Sequence, residues 1–295
     1  MIAYARLRPG PGFSFSRTAL YYLQRLAGPH WLRDIMARMI ARGVAIRHPA
    51  FVTGPGLESQ RQALVRNGLV PLPGLVSQDS VKAILAYLKD KDLRTPSGRT
   101  LRLQDVTPDI ATADYPLQTV LSCPGILGLI NSEPVLGLAG TYLGCRPTLS
   151  SIGLRWSFPS NSDACDVQRF HRDPDDWRFV KLFVYLTNVD HDSGPHVYVR
   201  GSHRRTRGIR ARAYTLGKIE AQYGRASVTP VIGKTGTAFM ADTGGIHMGM
   251  PPRTRPRLLL AAQYSLLPVY AFRYAPLALV PKPAIDPYVN RLIIA

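Results

Sequence analysis

Hydrophobic positions change their period near the middle of the chain. In the first half they recur as on a helix; from about Thr148 they alternate as in a strand. Leu20, Leu23 and Leu26, then Trp31, Ile35 and Met39, predict two amphipathic helices broken at Gly28-Pro29. Apolar faces of this kind are expected to pack across the back of a sheet, although their Arg-rich polar faces would also suit a membrane surface. A turn at Gly54-Pro55-Gly56, a short helix to about Asn67 and the apolar run Leu69–Leu72 follow. Ser77 is placed to cap a helix whose core face is Val81, Ile84, Leu85 and Leu88. Residues 91–115 are polar and contain proline, and read as a loop. Short helices are expected around Pro124–Ile130 and Pro134–Tyr142, the second stopping at Gly144.

In the second half Ile152, Leu154, Trp156 and Phe158 alternate with small or polar residues, the pattern of a half-buried strand. Further strands are predicted at Phe179–Thr187, Pro195–Arg200, Thr237–Asp242 and Leu258–Tyr264. Turn signals separate them at Asn161-Ser162, Ser193-Gly194-Pro195 and Gly233–Gly236. Helices followed by a run of strands predict a mainly β fold, a barrel or sandwich with flanking helices. Two regions are expected: a basic helical extension over 1–50, and a β domain with its own N-terminal helices over 51–295.

Composition adds charge and compartment. Over 295 residues the net charge is +18. Residues 1–50 hold eight arginines against one acid, Asp34, for a local net of +7. A second cluster runs through Arg200, Arg204, Arg205, Arg207, Arg210 and Arg212. Such a field favours anionic partners, including phosphorylated or carrier-linked small molecules. Neither cluster has the interleaved aromatics of a single-strand groove, so no specific nucleic-acid partner is expected. The Arg-rich, acid-poor start also has the composition of a transit peptide, but it has no secretory pattern. Apolar stretches such as Leu258–Ala262 are far too short to span a bilayer. Cys123, Cys145 and Cys165 form no CxxC, which argues against a disulfide framework or zinc and fits a cytoplasmic protein.

The chemistry concentrates in Gln168-Arg169-Phe170-His171-Arg172-Asp173, answered by His247 and Arg257. On an extended chain residues i and i+2 point the same way, so His171 and Asp173 can reach one metal while Arg172 faces away. With His247 they form the two-histidine, one-carboxylate set that holds Fe(II) on one face and leaves the opposite positions open. Gly244-Gly245 just before His247 would let the backbone approach the metal closely. Arg257 lies ten positions beyond His247 at a strand start, where its fork of donors can grip the distal carboxylate of 2-oxoglutarate. Arg253 and Arg255 compete with it in sequence and are expected to be solvated. Taken singly, each residue has an ordinary structural explanation: a core histidine, an Asp-rich turn, a loop histidine, a surface arginine.

With these motifs in place, the stretch Phe170–Arg204 (FHRD, KLFVYLTNVD, SGPHVYVRGSHR) resembles the phytanoyl-CoA dioxygenase-like family of Fe(II)/2-oxoglutarate oxygenases. So does the upstream run from Leu64 to Ser77, and the likeness extends over about residues 60–270. The resemblance implies a double-stranded β-helix, the jelly-roll of cupin-like proteins. It maps His171, Asp173 and His247 onto the metal ligands and Arg257 onto the co-substrate anchor. It further implies that Phe183 packs against 2-oxoglutarate, with Lys181 and Tyr185 on the same strand face, and that Gln168 lines the pocket. His203 would end a strand through hydrogen bonds, and His191 and His196 would serve local structure around a turn. Because Asp173 keeps the ligand carboxylate, the resemblance implies hydroxylation or another C–H oxidation rather than halogenation. The expected activity is oxidation of a small organic molecule, with succinate and CO2 released. A nucleic-acid- or protein-modifying oxygenase and a non-catalytic jelly-roll binding module are the alternatives.

Overall fold

The computed structural model describes residues 2–26, 29–52, 55–161, 168–205 and 214–295. Gly28, Gly54, Ser162, Cys165, Arg207, Arg210 and Arg212, to which the sequence assigned turns, a thiol and part of a basic cluster, lie outside the described residues.

The strands in chain order are β1 (Ala3–Tyr4), β2 (Leu69–Pro71), β3 (Leu93–Arg94), β4 (Thr100–Leu101), β5 (Thr112–Asp114), β6 (Thr148–Ser157) and β7 (Phe179–Tyr185). They continue with β8 (His196–Val199), β9 (Val228–Val231), β10 (Ala238–Ala241), β11 (His247–Gly249), β12 (Arg257–Ser265) and β13 (Phe272–Arg273). Among the described residues, eight form an antiparallel sheet in the order β2-β10-β7-β12-β6-β5-β3-β4. A smaller sheet, β11-β8-β9, faces it, and β1 pairs with β13. Two facing antiparallel sheets with crossing connections make the double-stranded β-helix that the sequence led us to expect. Strands β3, β4 and β5 occupy the stretch read as a loop. Each is two or three residues long, too short to show a period, yet β5 extends the large sheet beside β6.

The helices α1 (Phe15–Leu26), α2 (His30–Ala45), α3 (Glu58–Asn67), α4 (Gln78–Leu88), α5 (Leu117–Leu121), α6 (Ile126–Ile130) and α7 (Glu133–Leu143) precede β6 and the strands that follow it. Ser77 caps α4 through its hydroxyl, which accepts from the Ser80 amide at 3.1 Å. Gly144 ends α7 with φ 84°, the left-handed conformation that glycine adopts without a steric cost. The main core lies between these helices and the outer face of the large sheet, built from Leu154, Trp156, Leu260 and Tyr264 together with Val81, Ile84, Leu138 and Leu143. On β6 and β12 the apolar alternate residues therefore turn outward to the helices. Ser151, Gly153, Arg155 and Ser157, and Arg257, Leu259, Ala261 and Gln263, turn inward to the barrel interior.

The first two helices reverse the expectation drawn from their sequence. Gln24 and Arg33 are buried, with Ala37 and Ala41, whereas Leu20, Leu23, Trp31, Ile35 and Met39 are exposed. Polar anchoring explains the inversion. Arg33 donates to the carbonyls of Gln24 and Asp176, both at 2.7 Å, and Gln24 donates to the Asp176 carboxylate at 3.2 Å. The Asp176 carboxylate also accepts the Leu267 amide at 2.9 Å, tying the helices to the end of β12. Buried groups of this kind stabilise only while paired. Arg33→Ala, which strands two buried carbonyls, should cost about 2–4 kcal/mol. Met39→Ala should change stability by less than about 0.5 kcal/mol. Urea unfolding of the two variants measures both, and a larger loss for Met39→Ala would contradict the observed orientation.

Candidate metal and co-substrate site

One backbone pairing brings the distant halves of the site together. The His171 amide donates to the His247 carbonyl at 2.9 Å, and the His247 amide returns the bond to the His171 carbonyl at 3.0 Å. The segment around His171 is held by this bridge and by a second one from Phe170 to Tyr214, and not by a full strand. Asp173 is fixed next to it by its amide bond to the Thr243 carbonyl at 2.9 Å. Arg172 does point away, donating to the carbonyls of Ser202 and Gly244 at 3.0 and 2.7 Å.

Ligand atoms of His171, Asp173 and His247 lie within 4.8 Å of one another. His171 Nε2 stands 3.4 Å from one oxygen of Asp173, and His247 Nε2 stands 3.5 Å from the other. Both Nδ1 atoms face backbone carbonyls, of Arg169 at 2.8 Å and of Gly245 at 3.0 Å. A carbonyl only accepts, so each Nδ1 carries the proton and each neutral ring presents a bare Nε2 to the shared point. Burial lowers the His247 pKa to about 4, which keeps that ring neutral. At His171 burial acts in the same direction, but the hydrogen bond and charge of Asp173 outweigh it and raise the pKa. Burial also favours a neutral Asp173, yet Lys181 and the two imidazoles win and hold its carboxyl well below the usual range. Lys181 Nζ lies 2.7 Å from Asp173 and 3.5 Å from Asp175. Two bare imidazole nitrogens and an ionised carboxylate on one side of a cavity fit Fe(II).

The cavity, about 270 Å³, runs along the inner faces of β6, β7 and β12. Arg257 lies at one end, only 5% exposed. Its guanidinium donates to the Gly194 carbonyl and to Ser157 Oγ at 3.3 Å; Nε has no partner, and no carboxylate among the described residues pairs with it. Gly194 sits at φ +71°, where a Cβ would lie 2.3 Å from the Met250 carbonyl, so this tight turn requires glycine. Arg253 and Arg255 are exposed and face Asp192 and Asp190. Phe183 and Gln168 line the cavity as well, and Lys181 shares the Phe183 face. Tyr185 is on that face too, but its hydroxyl is spent on the Val231 carbonyl at 2.8 Å.

Three placements differ from the sequence reading or were missed by it. His196 belongs to no turn: it lies in β8, 4% exposed, between Phe183 (ring centroids 4.7 Å apart) and His247 (5.4 Å), and its Nε2 is unpartnered. Gln263 is buried at the other end of the cavity, and neither amide atom has a partner among the described residues. The period of β12 would have found it, since 257, 259, 261 and 263 share one face. Gly244 and Gly245 make room for protein groups and not for a metal: a Cβ on Gly245 would meet the Tyr198 hydroxyl at 2.2 Å, and one on Gly244 the Asp242 carboxylate at 2.9 Å. His203 bonds the Val65 carbonyl through Nε2 at 3.0 Å, in a short turn after β8. His191 is exposed in a turn. Cys123 and Cys145 are free and buried.

A jelly-roll cavity with a facial metal triad and a buried arginine defines a class: non-haem iron oxygenases that use an oxo-acid co-substrate. Residues 128–256 match the model of the phytanoyl-CoA dioxygenase (PhyH) family. Over those residues the chain matches the family that its motifs resemble, and His171, Asp173 and His247 stand together as its candidate metal triad. Among solved structures it is similar to EctD from S. alaskensis in its apo form (20% identity, TM-score 0.52, covering 74% of this chain and 80% of that one). It also resembles SnoN, an epimerase solved with Fe3+, alpha-ketoglutarate and nogalamycin RO (18%, TM-score 0.53, 71% and 83%). A third is SnoK, an alpha-ketoglutarate-dependent carbocyclase from nogalamycin biosynthesis (16%, TM-score 0.51, 70% and 83%). At these identities the likeness establishes the shared fold. No curated protein matches the chain.

Metal binding must displace the proton of His171, whereas His247 is already neutral. Because the His171 pKa is raised, Fe(II) affinity should weaken as pH falls, beginning above the free-imidazole value of about 6.5. Calorimetric titrations in buffers of different ionisation enthalpy should detect proton release on binding near pH 6.5, lost in His171→Ala. Release unchanged in that variant would place the titrating group elsewhere.

Proposed function

We propose that the protein hydroxylates, or otherwise oxidises a C–H bond of, a small organic molecule, converting 2-oxoglutarate and O2 to succinate and CO2. The observation that carries this reading is the buried Arg257, a guanidinium without a carboxylate partner, in the same cavity as the triad. A buried cation of this kind is costly unless a ligand brings the anion. In this reading His171, Asp173 and His247 hold Fe(II), which supplies O2 activation coupled to oxidative decarboxylation of the co-substrate. Arg257 takes the distal carboxylate of 2-oxoglutarate, steadied by Ser157 and the Gly194 carbonyl. Phe183 and Leu259 give the co-substrate an apolar wall, and Gln168 closes the pocket beside His171. Lys181 neutralises Asp173 and keeps its carboxylate turned to the two imidazoles.

The size and lining of the cavity support a small, polar substrate. At about 270 Å³ it lies at the lower end of ligand pockets. Its far end carries the unpaired carboxamide of Gln263, with Ser151 and Lys181 on the neighbouring strands in register. A substrate offering both a donor and an acceptor would satisfy that amide. Asp114 and Arg155 form a two-point ion pair on the wall, at 2.8 and 3.1 Å, and leave no net charge there.

Losing one charged hydrogen-bonding partner costs about 1.5–3 kcal/mol. Arg257→Ala should therefore weaken 2-oxoglutarate binding about 10- to 150-fold, while Arg253→Ala and Arg255→Ala change it less than about threefold. Anaerobic titration decides this, and a large loss at Arg255 with none at Arg257 would refute the anchor. Succinate release, measured against a panel of small polar metabolites and oligonucleotides, should rise above background only with a metabolite. Robust oligonucleotide-dependent turnover at moderate salt would overturn the small-molecule reading.

A further inference from the structure

The apolar faces of α1 and α2 point away from the protein. On α2, Trp31, Ile35, Met39 and Ile46 fall within an arc of about 80° at 100° per residue. Trp31 is 64% and Met39 60% exposed. The buried Arg33, Ala37 and Ala41 occupy the opposite side. Helix α1 repeats the arrangement. Phe15, at 79% exposure, shares an exposed face with Leu20, Tyr22 and Leu23, while Gln24 is buried and Tyr21 and Arg25 turn inward. Nothing among the described residues covers these side chains, and an apolar display of this extent marks an interaction surface.

Charge selects the occupant. Arg42 lies within the arc of the apolar stripe, Arg38 borders it, and Arg47 follows at the helix end; all three are exposed. Arg42 and Arg47 have no ion-pair partner among the described residues. The first fifty residues carry a net +7. A symmetric pair of copies would set this patch against itself and oppose like charges. An anionic lipid surface supplies both of the missing partners, acyl chains for the apolar stripe and headgroup phosphates for the arginines.

We propose that α1 and α2 dock the protein on anionic membrane surfaces, lying in the interfacial plane with Phe15, Leu20, Leu23, Trp31, Ile35 and Met39 inserted. No helix among the described residues is long and apolar enough to cross a bilayer, so the attachment is peripheral. The inward side of α1 is part of the route to the metal site. Tyr21 and Arg25 line a second, open cavity of about 560 Å³ together with Tyr4, Arg6 and Arg8, and this cavity reaches Asp173 and Asp175. Docking thus places the vestibule of the oxygenase next to the lipid surface.

The test is co-sedimentation of the full chain with vesicles of phosphatidylcholine containing 30% phosphatidylglycerol, compared with pure phosphatidylcholine. Binding should favour the anionic vesicles at least tenfold at low salt and fall steeply as salt rises. Trp31→Glu with Met39→Glu should reduce it at least tenfold. Arg42→Gln and Arg47→Gln should reduce it about fivefold each. All of these positions are exposed and none lines the cavities that reach the triad, so circular dichroism and uncoupled succinate formation should stay at the wild-type level. Docking is independent of catalysis, and its failure would leave the oxygenase assignment intact. Absence of anionic-vesicle binding at low salt overturns the proposal, as does binding that the Glu variants leave unchanged. Concentration-dependent self-association abolished by Met39→Glu, without vesicle binding, would assign the face to a second copy.

Discussion

Two hydrogen bonds between His171 and His247 hold the site together. They join segments 76 residues apart and make the two imidazoles neighbours, with ring centroids 4.3 Å apart. A backbone pair of this kind leaves the side chains no freedom over which way the rings enter the cavity. The Nδ1 bonds to the carbonyls of Arg169 and Gly245 then fix the tautomer, so that both Nε2 atoms face Asp173. Every electrostatic feature around the site follows from that convergence. An ionised carboxylate between two rings needs a counter-charge, which Lys181 supplies from β7. The His247 ring stays neutral, because a second buried cation beside Lys181 would be costly, whereas Asp173 favours the protonated form of the less buried His171.

The polar face of the sheet carries the chemistry and the apolar face carries the stability. This is the reverse of a half-exposed sheet, where polar positions mean solvent. Leu154, Trp156, Leu260 and Tyr264 pack on the helices, and their polar alternates line a closed cavity. The interior therefore holds groups that find no hydrogen-bond partner among the described residues: Arg257 Nε, His196 Nε2 and the Gln263 amide. Buried polar atoms without partners are rare in folded proteins, and four, on three residues of one cavity, are the signature of a site built for ligands.

Much of this was legible in the sequence because it rests on short periods. The strand alternation from Thr148 onward, the i and i+2 relation of His171 and Asp173, and the ten-residue step from His247 to Arg257 are all local spacings. The rest depended on partners distant in sequence. His196 looks like a turn residue because Gly194 and Pro195 precede it; only the pairing of β8 with β11 turns its ring toward His247. Strands β3 to β5 are invisible to periodicity: β5 forms on the edge of β6, β3 on β5 and β4 on β3. The inverted N-terminal helices were misread for the same reason. A buried Arg33 and Gln24 make sense only once Asp176, more than 140 residues away, is seen to receive them. Hydrophobic period identifies a helix, but it does not say which face the protein will bury.

The most direct test is an anomalous-scattering crystal structure of the protein loaded anaerobically with Fe(II) and 2-oxoglutarate. The account predicts one iron bound by Nε2 of His171, a carboxylate oxygen of Asp173 and Nε2 of His247, with the distal carboxylate of the co-substrate on Arg257. Iron held by other residues, or a co-substrate carboxylate placed away from Arg257, would contradict it.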